Sequence, residues 1–263
     1  MNQSKSSKKS ITSGVPQGSV LGPILFLMYM YDFPRHKKTK FTMFADDTAI
    51  TSSEKDEKLA TSYLQEHLDI LNPYYWKWKI RVNATKSEHI CFTRRRQTTE
   101  SIQLTFNNSL ILQKKSVKYL GVVLQSNMKF NLQTTEAIKK AKNTTTKLWC
   151  LIGPRSKLSV VNKLTIYKLF TRSALTYNIH IWYNTSMTNK QKIQTYQNKV
   201  IRLCLNMRPH PITHRQVRNE VIHQQSHIPT VSEFCKKISN NFRFGCLNHE
   251  NEIIKSLFSH TMP

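Results

Sequence analysis

The clearest shortage in this 263-residue sequence is of acidic residues. Asp and Glu total 15 against 40 Lys and Arg, which gives a formal charge of +25 and a pI near 10.0. A surplus of that size repels itself unless a polyanion balances it, and nucleic acid is the usual partner. The basic residues run through every segment instead of forming one tail. Composition therefore favours nucleic-acid binding over the alternative, a basic surface that binds nothing.

Cysteines and long apolar runs are also scarce. The five cysteines are widely spaced and odd in number, which argues against a disulfide framework and suits reduced thiols in the cytoplasm or the nucleus. Met1–Ser10 has no apolar stretch, so no signal peptide is predicted. The run Val20–Tyr31 is too short to span a bilayer and contains Gly22 and Pro23. We therefore expect no membrane segment and no secretion, while nucleus and cytoplasm both stay open.

The start of the chain mixes helical and strand patterns. Gly14–Gly22 is predicted to be a loop because it contains Gly and Pro. Pro23 follows it, where proline favours the start of a helix. The apolar residues Ile24–Tyr29 predict a buried helix. Two β-prone runs flank Ala45-Asp46-Asp47, and this pattern predicts a hairpin with acidic residues at its turn.

The patterns after residue 54 predict one long helix and several strands. Apolar residues recur at helical spacing from Leu59 to Leu71, and Pro73 should stop or kink the helix that they predict. Ile80–Val82 and His89–Phe92 are predicted to pair as a second hairpin. Further strands are predicted at Leu104–Leu112 and Val117–Leu124.

After Asn131 the sequence becomes helical in character. Helices are predicted over 132–152, 157–181, 188–206, 230–245 and 250–258. The change predicts a domain boundary near residue 130, between an α+β half and an all-α half. We therefore predict an α+β protein with a helical second part.

Asp46 and Asp47 are the first candidates for chemistry. Two adjacent carboxylates on a hairpin can offer oxygen ligands to a hard cation such as Mg²⁺. Two such ions about 4 Å apart can activate a primer hydroxyl and neutralise a leaving pyrophosphate. The alternative is a pair of solvated turn residues, and the two acids alone do not exclude it.

Two longer motifs give these acids a context. The run from Gly14 to Phe26, Gly-Val-Pro-Gln-Gly-Ser-Val-Leu-Gly-Pro-Ile-Leu-Phe, followed by Phe44-Ala-Asp-Asp-Thr-Ala49, resembles the reverse transcriptases of jockey-like non-LTR retrotransposons. The first run resembles motif B, which implies that Pro16, Gln17 and Gly18 contact the template and the incoming nucleotide. The second resembles motif C, which implies that Asp46 and Asp47 bind catalytic Mg²⁺.

The resemblance continues along the chain. Asn83–Glu88 resembles motif D, which implies that Lys86 approaches the nucleotide phosphates and assists departure of the pyrophosphate. Tyr119, Leu120 and Gly121 resemble the primer grip, a tight turn that holds the primer terminus. Softer matches lie at Leu175–Tyr177, Trp182, Gln197–Arg202 and Ile228–Val231.

The resemblance implies a polymerase palm over 1–130, a helical thumb over 131–206 and a helical C-terminal region over 207–263. It also implies an RNA template and a DNA primer as partners, bound largely without sequence preference. Motif A, which supplies a third metal-binding carboxylate in this family, precedes motif B, yet no acidic residue precedes Asp32 here. We therefore expect a fragment without fingers or motif A, inactive alone and poorly soluble because apolar surface is exposed. The alternatives are a domesticated, non-catalytic nucleic-acid-binding protein and a partial gene model of a complete polymerase.

Other candidates lie outside these motifs. The sets Arg94, Arg95, Arg96 and Lys139, Lys140, Lys142 are predicted phosphate contacts that make binding salt-dependent. His210 and His214, and His223 and His227, have a spacing that zinc can use, but no nearby cysteine pair supports them and no zinc site is predicted. The aromatic residues of 74–78 either stack on bases or pack the core, and packing is the favoured interpretation.

Overall fold

The computed structural model describes residue 14 and residues 18–93, 103–207, 209 and 216–259. The described residues form two compact units. The first contains those up to Cys91 and those of 103–115, and the second contains Phe92, Thr93 and those from Ser116 onward. Helices and small sheets are mixed, which confirms the α+β class in its coarse form. Within the described ranges, no helix is long and apolar enough to cross a membrane.

The first unit combines two helices with two small sheets. Its elements are α1 (Leu21–Tyr29), β1 (Lys40–Phe44), β2 (Asp47–Thr51), α2 (Glu57–Lys77), a 3-10 turn (Ala84–Lys86), β3 (Glu88–His89), β4 (Leu104–Phe106) and β5 (Ser109–Gln113). Strands β1 and β2 pair antiparallel, whereas β3, β5 and β4 form a second sheet in that order. The core of this unit contains Met30, Phe33, Leu71, Tyr74, Leu104, Phe106 and Ile111.

Helix α2 continues through Pro73, so of the two predicted outcomes, a stop or a kink, the stop does not occur. Its N-terminus is capped by Asp56, whose carboxylate accepts a hydrogen bond from the Lys58 backbone N–H at 3.2 Å. Pro73 removes one backbone N–H from the helix. Leu71 and Tyr74, on either side of it, are 1% and 7% exposed. Burial of these two side chains holds the last turn in place despite the proline.

Two further expectations for this unit are wrong. No strand forms at Ile80–Val82, and β3 pairs in parallel with β5 instead of with a hairpin partner. The predicted strand Leu104–Leu112 is itself a hairpin, because Asn107 and Asn108 both adopt positive φ, as a type I′ turn requires. Asn residues tolerate that backbone well.

Helix α1 begins at Leu21, two residues before the predicted start at Pro23, and it is not buried. The Ser19 hydroxyl, one residue before the N-cap Val20, accepts a hydrogen bond from the Gly22 N–H at 3.1 Å. No residue of α1 is buried, and Leu27 and Met28 are each 69% exposed. The expectation of a buried helix is therefore wrong for the described residues, while the expected exposure of apolar surface is present.

The second unit begins with a hairpin and continues with helices. Its elements are β6 (Ser116–Tyr119), β7 (Val122–Gln125), α3 (Asn131–Lys147), α4 (Trp149–Ile152), α5 (Val160–Ile166), a π-helical turn (Tyr167–Arg172), α6 (Ser173–Leu175), α7 (Ile179–Trp182), α8 (Met187–Cys204), α9 (Asn219–Ser226), α10 (Val231–Leu247) and α11 (Glu252–Ser259). The single helix expected over 157–181 is divided, and α9 lies where no helix was predicted. The predicted boundary near 130 falls after the β6–β7 hairpin, whereas the two units divide before it.

Packing and caps explain the helices of this unit. Its core includes Tyr167, Leu175, Ile179, Trp182 and Ile201, each with no exposed surface. Three helices begin at hydroxyl caps, which are Ser159, Ser186 and Thr230. At the last of them Glu233 completes a capping box.

Candidate polymerase hairpin and nucleic-acid contacts

The acidic hairpin is present where the sequence predicts it. Phe44 pairs with Asp47, so Ala45 and Asp46 form a two-residue connection between β1 and β2. Phe41 and Met43 pack against the core of the first unit and hold the hairpin by one face. Because successive strand residues point to opposite faces, one face of the hairpin packs on the core. Asp46 and Asp47 are both exposed at its tip.

Ala45 carries backbone strain beside the two acids. Its φ is +51°, a left-handed conformation that residues other than Gly, Asn and Asp rarely adopt. Such a residue costs about 1–2 kcal/mol, and strain of this kind concentrates at functional sites. Lys79, Met128 and Phe130 share such a φ away from any acidic pair, so the strain marks a tight turn and the two acids themselves carry the functional argument.

The two carboxylates suit Mg²⁺ in kind but not in number. Hard cations prefer oxygen ligands, and adjacent Asp side chains supply part of a coordination sphere. Within the described residues, no group of three or more His, Cys, Asp or Glu side chains is positioned to hold a metal ion. Asp46 and Asp47 by themselves therefore do not enclose two metal ions.

Lys86 lies in the same unit as this hairpin. It ends the 3-10 turn, which Asn83 organises by accepting a hydrogen bond from the Thr85 hydroxyl at 2.7 Å. The Lys86 side chain is exposed, and no ion pair of the described residues joins it to Asp46 or Asp47. The structure thus presents this lysine to solvent without bringing it into contact with the acids.

Of the predicted template loop, Pro16 and Gln17 lie outside the described residues. Gly18 has φ +86°, which favours glycine, and a Cβ built there meets no atom within 4 Å. Glycine is therefore required by the backbone at this position and not by a close neighbour.

The predicted primer-grip residues form the tip of the β6–β7 hairpin. Tyr119 pairs with Val122, and Leu120 and Gly121 connect them with φ values of +44° and +81°. The Val123 backbone N–H donates to the Gln133 side chain at 2.8 Å, and the Leu132 N–H donates to the Gln125 side chain at 2.8 Å. Two side chains thus join the hairpin to α3.

The predicted phosphate contacts on α3 share one exposed face. Lys139, Lys140 and Lys142 are exposed, while the opposite face buries Ala137 and Ala141. Residues 116–263 contain 22 Lys and Arg against five Glu and no Asp, so few anions are available to pair with them. A helix face of this charge suits a phosphate backbone. Arg94, Arg95 and Arg96 lie outside the described residues.

The candidate zinc residues are only partly described, since His210 and His214 lie outside the described ranges. His223 uses both ring nitrogens in hydrogen bonds, Nδ1 with the Ile228 carbonyl at 2.7 Å and Nε2 with the Asn198 side chain at 2.9 Å. His227 lies beyond α9 in a left-handed conformation, so it does not share a helix face with His223. Burial also raises the pKa of the Cys235 thiol, which disfavours the thiolate that zinc binds.

The aromatic cluster is divided by the structure. Tyr74, Tyr75 and Trp78 pack into the core of the first unit, as the packing interpretation predicts. Trp76 is 83% exposed and takes no part in that core. Helical spacing separates these roles, because Leu71, Tyr74, Tyr75 and Trp78 recur three or four residues apart on one face, whereas Trp76 lies off that face.

Comparison with known proteins finds a family match that covers the same residues. Residues 1–124, which include the acidic hairpin and the Tyr119–Gly121 turn, match the family of reverse transcriptases, RNA-dependent DNA polymerases. The chain belongs to this family. No solved structure matches it.

The curated relatives indicate which branch of the family the chain resembles. The chain is 31% identical over 257 residues to a probable RNA-directed DNA polymerase from transposon X-element of Drosophila melanogaster, covering 96% of this chain and 27% of the relative. It is 34% identical over 206 residues to the RNA-directed DNA polymerase from mobile element jockey of the same species, covering 75% of this chain and 22% of the relative. The jockey polymerase of Drosophila funebris is 28% identical, with 96% of this chain and 28% of the relative covered. By family the chain therefore groups with the reverse transcriptases of jockey-like non-LTR retrotransposons, and it spans about a quarter of the length of these relatives.

Proposed function

We propose that the chain contributes palm and thumb parts to RNA-templated DNA synthesis in a retrotransposon polymerase. The observation that carries this proposal is the strained, exposed hairpin tip with Asp46 and Asp47, inside the region that matches the reverse transcriptase family. The basic face of α3 supports an RNA template and a DNA primer as partners, because it matches a polyanion without reading its bases.

The proposed roles follow the motifs. Asp46 and Asp47 would supply part of the coordination of Mg²⁺, whose chemistry when bound would be to polarise the phosphate and lower the pKa of the primer hydroxyl. Lys86 offers a cationic group to the phosphates of the nucleotide, and its exposure leaves it accessible to that ligand. Pro16, Gln17 and Gly18 support the template and the nucleotide, and Tyr119, Leu120 and Gly121 hold the primer.

We also propose that the chain alone binds primer–template but does not extend it. Two carboxylates supply too few ligands for a two-metal site, and the described residues bring no third one to them. A further carboxylate from outside the described residues would then be needed for activity.

The test combines binding and extension. The chain is titrated with a DNA primer annealed to an RNA template, and primer extension is measured with Mg²⁺ or Mn²⁺ beside an Asp46→Ala control. We expect binding that weakens steeply with salt, and no extension. Extension that Asp46→Ala abolishes would show that the chain is active alone. Absent or salt-independent binding would contradict the proposed function itself.

A further inference from the structure

The turn at Leu120–Gly121 is more strained than a comparable turn in the same chain. Both residues have positive φ, as a type I′ connection requires. The β4–β5 hairpin meets this requirement with Asn107 and Asn108, which tolerate the left-handed region. Leu120 has a bulky side chain and gains no such local compensation, so another contact must hold the turn in place.

Tyr177 supplies that contact from a distant part of the sequence. Its hydroxyl donates a hydrogen bond to the Leu120 carbonyl oxygen at 3.3 Å. Its ring lies directly on Gly121, because a Cβ built on that glycine would stand 2.9 Å from the Tyr177 Cε1 atom. Glycine at 121 is therefore required twice, by its φ of +81° and by the approach of the ring.

Tyr177 is itself firmly anchored. The fully buried Trp182 donates its indole N–H to the Tyr177 carbonyl oxygen at 2.8 Å. Asn178, in the left-handed conformation, then starts α7. The Tyr177 side chain remains about half exposed, at 50%. A rigid backbone thus carries a side chain that reaches the turn at the surface.

The contact leaves the donors of the turn available. It uses the carbonyl of Leu120, whereas the backbone N–H groups of Leu120 and Gly121 donate to no acceptor among the described residues. Backbone N–H groups at tight turns are good partners for phosphate oxygens. These two backbone N–H groups are therefore suited to bind a nucleic-acid phosphate.

We propose that Tyr177 is a positioning residue, which fixes the Leu120–Gly121 turn in the geometry that holds a phosphate near the primer terminus. The inference rests on the proposed function and names a residue that the motif itself does not contain. Tyr177 acts through the turn and not on the reacting atoms.

The test uses a DNA primer with a photoreactive 4-thiothymidine at its 3′ end, annealed to an RNA template and bound to the full chain. Crosslinked peptides are mapped for the intact sequence, Tyr177→Phe and Tyr177→Ala. We expect a crosslink in the peptide that contains 119–121. Its yield should fall by about 2- to 10-fold in Tyr177→Phe, which loses one hydrogen bond, and further in Tyr177→Ala.

Tyr196→Phe is the matched control. The Tyr196 hydroxyl bonds to the Thr145 hydroxyl at 2.8 Å inside the helical core, so its loss should lower stability without changing the crosslink. Gly121→Ala should reduce the crosslink yield by a smaller factor in the Tyr177→Ala background than in the intact sequence, because the clash with the ring is then gone.

The outcomes separate the two proposals. If the intact chain fails to bind primer–template, the proposed function is wrong. If it binds but crosslinks elsewhere, or if both Tyr177 variants crosslink as strongly as Tyr196→Phe, the positioning role is overturned. Tyr177→Phe keeps the ring of a half-exposed residue, so its fold is preserved for the comparison.

Discussion

The side-chain oxygen of Gln133 accepts a hydrogen bond from the Val123 backbone N–H at 2.8 Å. Gln133 lies in the first turn of α3 and is 3% exposed. The bond joins the strand after the Leu120–Gly121 turn to the helix that follows it. The hairpin is therefore built as part of the helical unit, although it precedes the all-helical stretch of the sequence.

Gln133→Ala should lower the free energy of unfolding by about 1–3 kcal/mol, because the mutation leaves the Val123 N–H without its acceptor. Urea denaturation measures the change. Gln125→Ala is the comparison, since Gln125 accepts from the Leu132 N–H at an exposed helix start and should cost about 1 kcal/mol or less. Equal losses in the two variants would contradict the buried role of Gln133.

Neutralising Lys139, Lys140 and Lys142 together should reduce the salt dependence of nucleic-acid binding. Each phosphate contact contributes about 0.9 to the slope of log K against log salt on a duplex, so a loss of about 2–3 is expected. Filter binding at several salt concentrations measures it. The triple change of Lys192, Lys236 and Lys237, exposed on α8 and α10, removes the same charge elsewhere. A slope change of the same size there would show a general charge effect and no α3 site.

His67 should make the first unit less stable in acid. Its Nε2–H donates to the Pro34 carbonyl at 3.0 Å and its Nδ1 lies 2.7 Å from the Thr39 hydroxyl, an arrangement that the neutral ring satisfies with one donor and one acceptor. Burial lowers the pKa of His67, and the neighbouring His36 lowers it further, against the opposing effect of the Pro34 bond. Below an unfolded pKa of about 6.5 the unfolded chain takes up a proton that the folded chain does not. The neutral His67 therefore contributes its full stabilisation above that value. This contribution is lost as the pH falls from there to the lower pKa of the folded state.

Thermal melting at pH 7.5 and pH 5.5 tests this expectation. His67→Gln keeps a donor for the Pro34 carbonyl and removes the titrating group, so its Tm should fall less between the two pH values. Part of the pH dependence should remain, because burial also lowers the pKa of His89 and of His180. An unchanged pH dependence in His67→Gln would rule out this role.

Replacing Leu27 and Met28 together with Gln should raise solubility without lowering stability. Both side chains are 69% exposed, so they contribute apolar surface and little packing. Light scattering against protein concentration measures association, and thermal melting measures stability. Phe26→Gln is the control, because Phe26 packs against the core of the first unit and its loss should destabilise. A soluble monomer with no gain from the double change would contradict the prediction.

The sequence predicted those elements whose signals are local. The Asp46-Asp47 hairpin, the existence of α1 and the helical character after Asn131 each follow from turn residues or periodicity within a few positions. The errors arose where tertiary packing outweighed a local signal. Pro73 did not stop α2, because buried neighbours hold its last turn. Ile80–Val82 has β-branched residues but no strand to pair with.

The sequence by itself determined the charge, the motif order and hence the reverse transcriptase family, because these are properties of residue type and spacing. Only the tertiary structure decided that α2 continues through Pro73, and that Gln133 binds the β6–β7 hairpin. It also decided the contact of Tyr177 with Leu120, across 57 positions. The physical reason is that periodicity encodes which face of an element is apolar, whereas the partner of each face is selected by packing among all elements at once.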